Sequence, residues 1–146
     1  MDTTRENYLV STDKARLNID YIHQYLCYQS YWAGNIPIET VRKSIANSMC
    51  FGVYDGEKQI GFARMVTDHA TFAYLADVFI DENYRGRGLS KWMLEVILAH
   101  PDLQGLRRVI LSTRDAHTLY SQFGFRQLDF PDRWMNIHNP NVYKGK

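Results

Sequence analysis

Residues 49–80 constrain this chain most, because they read as three strands in succession with no room for a helix between them. Met49 to Tyr54 is rich in apolar and β-forming residues, Asp55-Gly56-Glu57-Lys58 is a turn, and Gln59 to Val66 is strand again. A turn this short, with a glycine inside it, marks a β-hairpin. A second short connection, Thr67-Asp68-His69, leads into a longer strand from Thr71 to Ile80. Strands joined this tightly are antiparallel neighbours, so the middle of the chain is expected to be a meander.

Helices are expected on both sides of it. Residues 5–10 read as a first strand, ended by the cap-like Ser11-Thr12-Asp13. Ile19, Ile22 and Leu26 recur at helical spacing from Asn18 to about Tyr28. Tyr31-Trp32-Ala33-Gly34-Asn35 breaks that pattern, and a second helix starts near Pro37 with Ile38, Val41 and Ile45 at three- and four-residue steps. After Arg85-Gly86-Arg87-Gly88 a helix runs from Leu89 to His100 and stops before Pro101. Arg108 to Ser112 is strand, Asp115 to Gln122 a short helix closed by Gly124, and the remainder is expected to add one or two more strands. The fold class is therefore α/β in the α+β sense: a mixed, mostly antiparallel central sheet flanked by helices.

Composition narrows the function classes. With 146 residues, 45% hydrophobic, and no repeat or linker-like stretch, residues 1–146 are expected to form a single domain. Seventeen basic against sixteen acidic residues leave a net charge of +1, which argues against a nucleic-acid partner held through phosphates. Cys27 and Cys50 match no zinc spacing, so no metal is expected, and they are read as reduced, buried thiols. The first six residues lack the apolar core of a signal peptide, and no apolar run approaches the ~20 residues that span a bilayer. A cytoplasmic protein without a membrane partner is the expectation.

The stretch that carries chemistry is Val78 to Lys91. An apolar strand enters a turn with two glycines, and the turn opens a helix. That arrangement aims free backbone N–H groups and the positive end of the helix dipole at one spot, which suits an anion. Glycine lets a phosphate approach the backbone where a Cβ would hold it off. The Gly-Lys-Ser/Thr of a P-loop is absent, and the third glycine of the dinucleotide fingerprint is replaced by Lys91. A helix entry with solvated arginines is the bland alternative.

Two blocks together lift the reading. Arg85-Gly86-Arg87-Gly88-Leu89-Ser90 resembles the Arg/Gln-x-x-Gly-x-Gly/Ala pyrophosphate loop of the GNAT superfamily of N-acetyltransferases, and Ala116-His117-Thr118-Leu119-Tyr120-Ser121-Gln122-Phe123-Gly124-Phe125 resembles its Ala-x-x-Leu-Tyr-x-x-x-Gly-Phe signature. Their order and separation also match, and the likeness is strongest from Leu75 to Phe125. Ser90 departs from the pattern but stays small. Thr113 stands where many relatives carry an Asn against the pantetheine arm.

The resemblance implies acetyl-CoA as acetyl donor and a small-molecule or peptide amine as acceptor, joined by direct attack in a ternary complex. It implies cofactor contacts from Val78, Phe79 and Ile80, from Arg85, Gly86, Arg87, Gly88, Leu89, Ser90 and Lys91, and from Thr113. Tyr120 is implied as the general acid that protonates the leaving thiolate, with helix-to-sheet packing as its alternative role. The acceptor would lie against Tyr31 and Trp32, with Trp134 and Met135 as candidates for the opposite wall or for core or dimer packing. Asp77 is a lone carboxylate in the apolar run from Phe72 to Ile80, which makes it either a base or a hydrogen-bonded structural residue. His69 and water are the other candidate bases. A homodimer is one arrangement left open. A catalytically silent acyl-CoA-binding sensor or interaction module is the other functional class.

Overall fold

The computed structural model describes residues 1–145. Its strands lie in one six-stranded sheet in the order of the sequence: β1 (Asp2–Arg5), β2 (Tyr8–Ser11), β3 (Met49–Asp55), β4 (Lys58–Thr67), β5 (Phe72–Ile80) and β6 (Arg108–Ile110). Neighbours from β1 to β5 are antiparallel, so the expected meander is present. β6 is parallel to β5, with Phe72, Ala73 and Tyr74 opposite Arg108, Val109 and Ile110. A parallel pair needs a long crossover, which α3 (Leu89–Ala99) supplies.

Alternation along the strands builds a core on each face of the sheet. On one face Phe51, Val53, Ala63, Met65 and Leu75 pack under α3, which buries Leu89, Trp92, Met93, Leu94, Val96 and Ile97. Each side chain so buried stabilises the fold by about 1.5–3 kcal/mol. On the other face Cys50, Phe62 and Phe79 meet Ile22, Tyr25 and Leu26 of α1 (Ile19–Tyr28) and Val41 and Ile45 of α2 (Ile38–Ala46). The Asn18 side chain caps α1 by accepting the Tyr21 N–H at 3.0 Å. α4 (His117–Ser121) is shorter than the sequence suggests, because Thr113 Oγ1 accepts the Ala116 N–H and turns the chain first.

Three expectations need correction. The first strand is a hairpin, β1 and β2 joined at Glu6-Asn7, with Glu6 rather than a glycine taking the left-handed backbone at φ 56°. Cys27 is only partly buried, although Cys50 is fully so. No strand forms among described residues beyond β6. Instead Pro131–Arg133 makes a tight 3-10 turn closed by the Trp134 N–H on the Pro131 carbonyl, and Pro131 and Pro140 have no N–H to give a ladder.

Candidate active site

The site begins with a register shift. Phe62 pairs with Phe79, but Arg64 pairs with Ala76, so β5 carries an extra residue opposite β4. Asp77 stands in this bulge at φ 54°, a left-handed conformation that Asp tolerates better than most residues. β6 parts from β5 after the Tyr74–Ile110 pair. From Leu75 to Ile80, β5 therefore has β4 on one side and no strand on the other. An extended ligand can add along that free side, past Val78, Phe79 and Ile80. Phe79 is fixed there by stacking on Tyr25, with ring centroids 3.8 Å apart.

β5 feeds the glycine turn. Gly86 and Gly88 both take positive φ, 79° and 74°, and Gly88 is the N-cap of α3 without any side-chain cap. The first-turn amides of Leu89, Ser90 and Lys91 thus lack an intrahelical acceptor. A Cβ built on Gly86 meets nothing within 4 Å, so the space before the loop is open. Both loop arginines are tied to the protein. Arg85 donates to the Ile80 carbonyl at 3.1 Å and to the Tyr25 hydroxyl at 3.0 Å. Arg87 donates to the Tyr8 hydroxyl at 2.8 Å and lies over the Tyr84 ring at 4.9 Å. An anion here meets amides rather than these guanidinium groups. Arg5 reaches the turn from β1, its Nη2 lying 3.9 Å from a Cβ built on Gly88. Sequence reasoning missed Arg5, which sits on a strand remote from the motif.

The connection between α1 and α2 closes the other end of the cleft. Trp32 donates its indole N–H to Asp77 Oδ1 at 2.8 Å, while Arg64 Nε donates to Asp77 Oδ2 at 2.8 Å. Arg64 also donates to Ser48 Oγ at 3.0 Å. The adjacent Tyr31 accepts the Arg114 N–H at 2.9 Å, and the Arg114 guanidinium lies 4.0 Å from its ring centroid. One loop thereby grips both sides of the split: Trp32 holds the bulge of β5, and Tyr31 holds the segment after β6. Tyr31 and Trp32 pack edge to face at 5.0 Å and stay half exposed. Arg64 and Arg114 were missed as well. A lone Arg inside the apolar strand 59–66 was the available signal for the first; nothing in the sequence singled out the second.

Tyr120 is buried against Phe125, edge to face at 5.9 Å. Among described residues its hydroxyl has no hydrogen-bond partner. Burial, and secondarily the neighbouring Tyr31, push its phenol above the usual pKa of 10. Tyr31, Trp32, Asp77, Thr113 and Tyr120 thus gather about the mouth of the split. Other candidates do not. His69 sits in the turn before β5, and the strand from Phe72 to Asp77 alone puts about 16 Å between them. Trp134 lies at the opposite end of β6 under the Arg108 guanidinium, 4.8 Å away, and Met135 is almost fully exposed, so neither walls this cleft. Among described residues no cluster of His, Cys, Asp or Glu could hold a metal, and no helix is long and apolar enough to cross a membrane.

A mixed sheet that splits at a bulge, beside a helix start with free amides, offers a strand edge to an extended ligand and a row of N–H donors to its anionic end. The comparisons agree. The family model for the acetyltransferase (GNAT) domain matches residues 46–127. A Gibberella zeae protein named as a candidate acetyltransferase is 36% identical over 141 residues, covering 82% of this chain and 78% of that protein. A candidate GNAT-family acetyltransferase of Xanthomonas campestris pv. campestris, known from a crystal structure, is 46% identical with a TM-score of 0.92, covering 94% of this chain and 96% of that one. A GNAT-family acetyltransferase from Elizabethkingia anophelis, solved with acetyl-CoA bound, shares the fold at a TM-score of 0.64 and 16% identity, covering 90% and 88%. The chain belongs to the GNAT family of acetyltransferases.

Proposed function

We propose that this protein moves an acetyl group from acetyl-CoA to a primary amine within a ternary complex. The observation that carries the reading is the unpartnered side of β5 leading from the split into the uncapped, glycine-opened start of α3. The donor supplies an acetyl group activated as a thioester. Its pyrophosphate suits the amides from Gly86 to Lys91, with Leu89 and Ser90 in the first turn and Arg5 as the nearby cation. Its pantetheine arm suits the free side of Val78, Phe79 and Ile80, and runs toward Thr113. Backbone N–H groups of that strand stabilise the negative charge that develops on the carbonyl oxygen.

The acceptor lies against Tyr31 and Trp32. Its nitrogen attacks the carbonyl carbon, the carbon–sulfur bond breaks, and Tyr120 gives its phenolic proton to the sulfur. Burial keeps that proton on Tyr120 at neutral pH. The amine's own proton passes to water, and water returns a proton to the Tyr120 phenolate. Asp77 serves as a positioning residue rather than the base: each of its oxygens already accepts a hydrogen bond, and the two donors fix the bulge and the acceptor wall.

The test is acetyl-CoA titrated calorimetrically into the protein, followed by release of free thiol with a panel of amines: an amino acid, a polyamine, an aminoglycoside and a peptide N-terminus. Micromolar binding and acceptor-dependent thiol release support the proposal. Binding without release on any amine would favour a silent sensor, and no binding would remove the donor.

A further inference from the structure

The acceptor end of the cleft carries hydrogen-bond donors that have nothing to donate to. Arg114 follows Thr113 in the segment after β6, and its guanidinium lies 4.0 Å from the Tyr31 ring centroid. An aromatic ring beneath a guanidinium fixes its plane and leaves the N–H edge to recognise a ligand. Among described residues this guanidinium makes no hydrogen bond. The carboxylate beside it, Asp115, stands 3.9 Å away, and both side chains are about two-thirds exposed, at 65% and 69%. A pair that long between exposed groups holds little. The Tyr31 hydroxyl accepts the Arg114 N–H at 2.9 Å, and among described residues its own proton has no acceptor.

The remaining polar groups here are already matched. Asp77 accepts from Trp32 and from Arg64, so its charge is balanced and the indole N–H is taken. Arg64 gives a further hydrogen bond to Ser48. A polyamine would thus meet an unmatched cation and no carboxylate free to hold its second ammonium. Resting on the reading that the acceptor lies against Tyr31 and Trp32, we propose that this acceptor is an amine bearing a carboxylate, as a free amino acid does, and that Arg114 selects it. The planar fork of Arg114 matches the two carboxylate oxygens, and the Tyr31 O–H adds a third donor. Tyr31 also neighbours Tyr120, so a carboxylate held on Arg114 leaves the amine of the same small molecule facing the thioester. Trp32, 40% exposed, offers its ring to the amino acid's side chain.

Thiol release is measured with glycine, leucine and phenylalanine, each beside its carboxamide and its decarboxylated amine. At neutral pH the carboxamides hold more unprotonated amine, so chemistry alone works against a carboxylate preference. The parent's kcat/KM should still be at least about tenfold higher for an amino acid than for its carboxamide, the scale of one charge-assisted hydrogen bond. Arg114→Gln and Arg114→Glu alter an exposed side chain, and in each that ratio should fall at least about tenfold. A role confined to holding the loop would slow both substrates together. A ratio unchanged in either variant therefore overturns the proposal, as does a parent that prefers the carboxamides or the simple amines. Failure of the acetyl-transfer reading looks different, with no thiol released from any amine. Calorimetric titration of the same amino acids into the chain then decides the site. Heat that is lost in Arg114→Gln supports it; no heat with the parent, or equal heat in the variant, overturns it.

Discussion

Asp77 and Arg64 form a partly buried ion pair, Oδ2 to Nε at 2.8 Å, at the bulge where the sheet divides. Their side chains are only 10% and 17% exposed, so this pair differs from the surface ion pairs elsewhere on the chain, which contribute little. Removing one partner strands the other charge. Asp77→Asn should lower stability by about 3 kcal/mol, read as a shift in the urea midpoint, and should raise the acceptor KM because Trp32 loses a charged acceptor. A base would behave differently: stability would hold while kcat fell and the acidic limb of the pH–rate profile disappeared.

The loop gives the second prediction. Gly88 takes φ 74°, and a Cβ there would touch the Arg5 guanidinium at 3.9 Å. Gly88→Glu adds bulk and like charge where the pyrophosphate is expected, plus about 1–2 kcal/mol of backbone strain. Affinity for acetyl-CoA should fall at least tenfold, about 1.4 kcal/mol, by isothermal titration of a variant that still melts cooperatively. Unchanged affinity would take the pyrophosphate off this loop.

Much of this architecture was legible beforehand, and the failures have physical causes. The meander, the crossover helix and the two signature blocks show because periodicity and glycine placement are local properties. The β1–β2 turn was hidden because Glu6, not a glycine, adopts positive φ. The C-terminal strands were expected from apolar residues, but Pro131 and Pro140 lack the N–H a ladder needs and the chain closes a tight turn at Pro131–Arg133 instead. Arg5, Arg64 and Arg114 were invisible for a common reason: each meets residues far away in sequence, and only the folded sheet brings them together.

Gly52 and Tyr54 make a prediction about stability. The Tyr54 hydroxyl is buried without a hydrogen-bond partner among described residues, and burial pushes its pKa up to about 12. Tyr54→Phe removes an unsatisfied polar group and should stabilise the protein by about 1 kcal/mol. Gly52→Ala should do the opposite, because a Cβ there would stand 2.7 Å from the Tyr54 Cζ and closer still to its hydroxyl. Thermal melts of both variants decide the matter; a destabilised phenylalanine variant would mean the hydroxyl is satisfied by water.

His100 sets a pH dependence. Burial lowers its pKa below the ordinary 6.5, and its Nδ1 accepts the Asp102 N–H at 3.1 Å, which needs the unprotonated nitrogen. The unfolded chain therefore binds the proton more readily than the folded one. The contribution is fully present above pH 6.5 and is lost as pH falls from there toward the depressed folded value. His100→Asn should flatten that part of the stability curve between pH 7.5 and 5. Identical slopes for parent and variant would show that His100 is not responsible.

Tyr120 carries the last and most direct prediction. Tyr120→Phe deletes one hydroxyl and keeps the ring that packs on Phe125, so fold and acetyl-CoA affinity should be nearly unchanged. If the phenol protonates the departing sulfur, kcat should drop by roughly 10²–10⁴. The drop is largest where thiolate departure limits the rate, and smaller where product release does. The parent's pH–rate profile should carry a basic limb above pH 10, because burial raises the phenol, and the phenylalanine variant should lack it. Equal loss of affinity and turnover would instead make the hydroxyl a contact that orients the thioester. A variant that binds and turns over like the parent would leave Tyr120 as a packing residue of α4 and pass the proton to water.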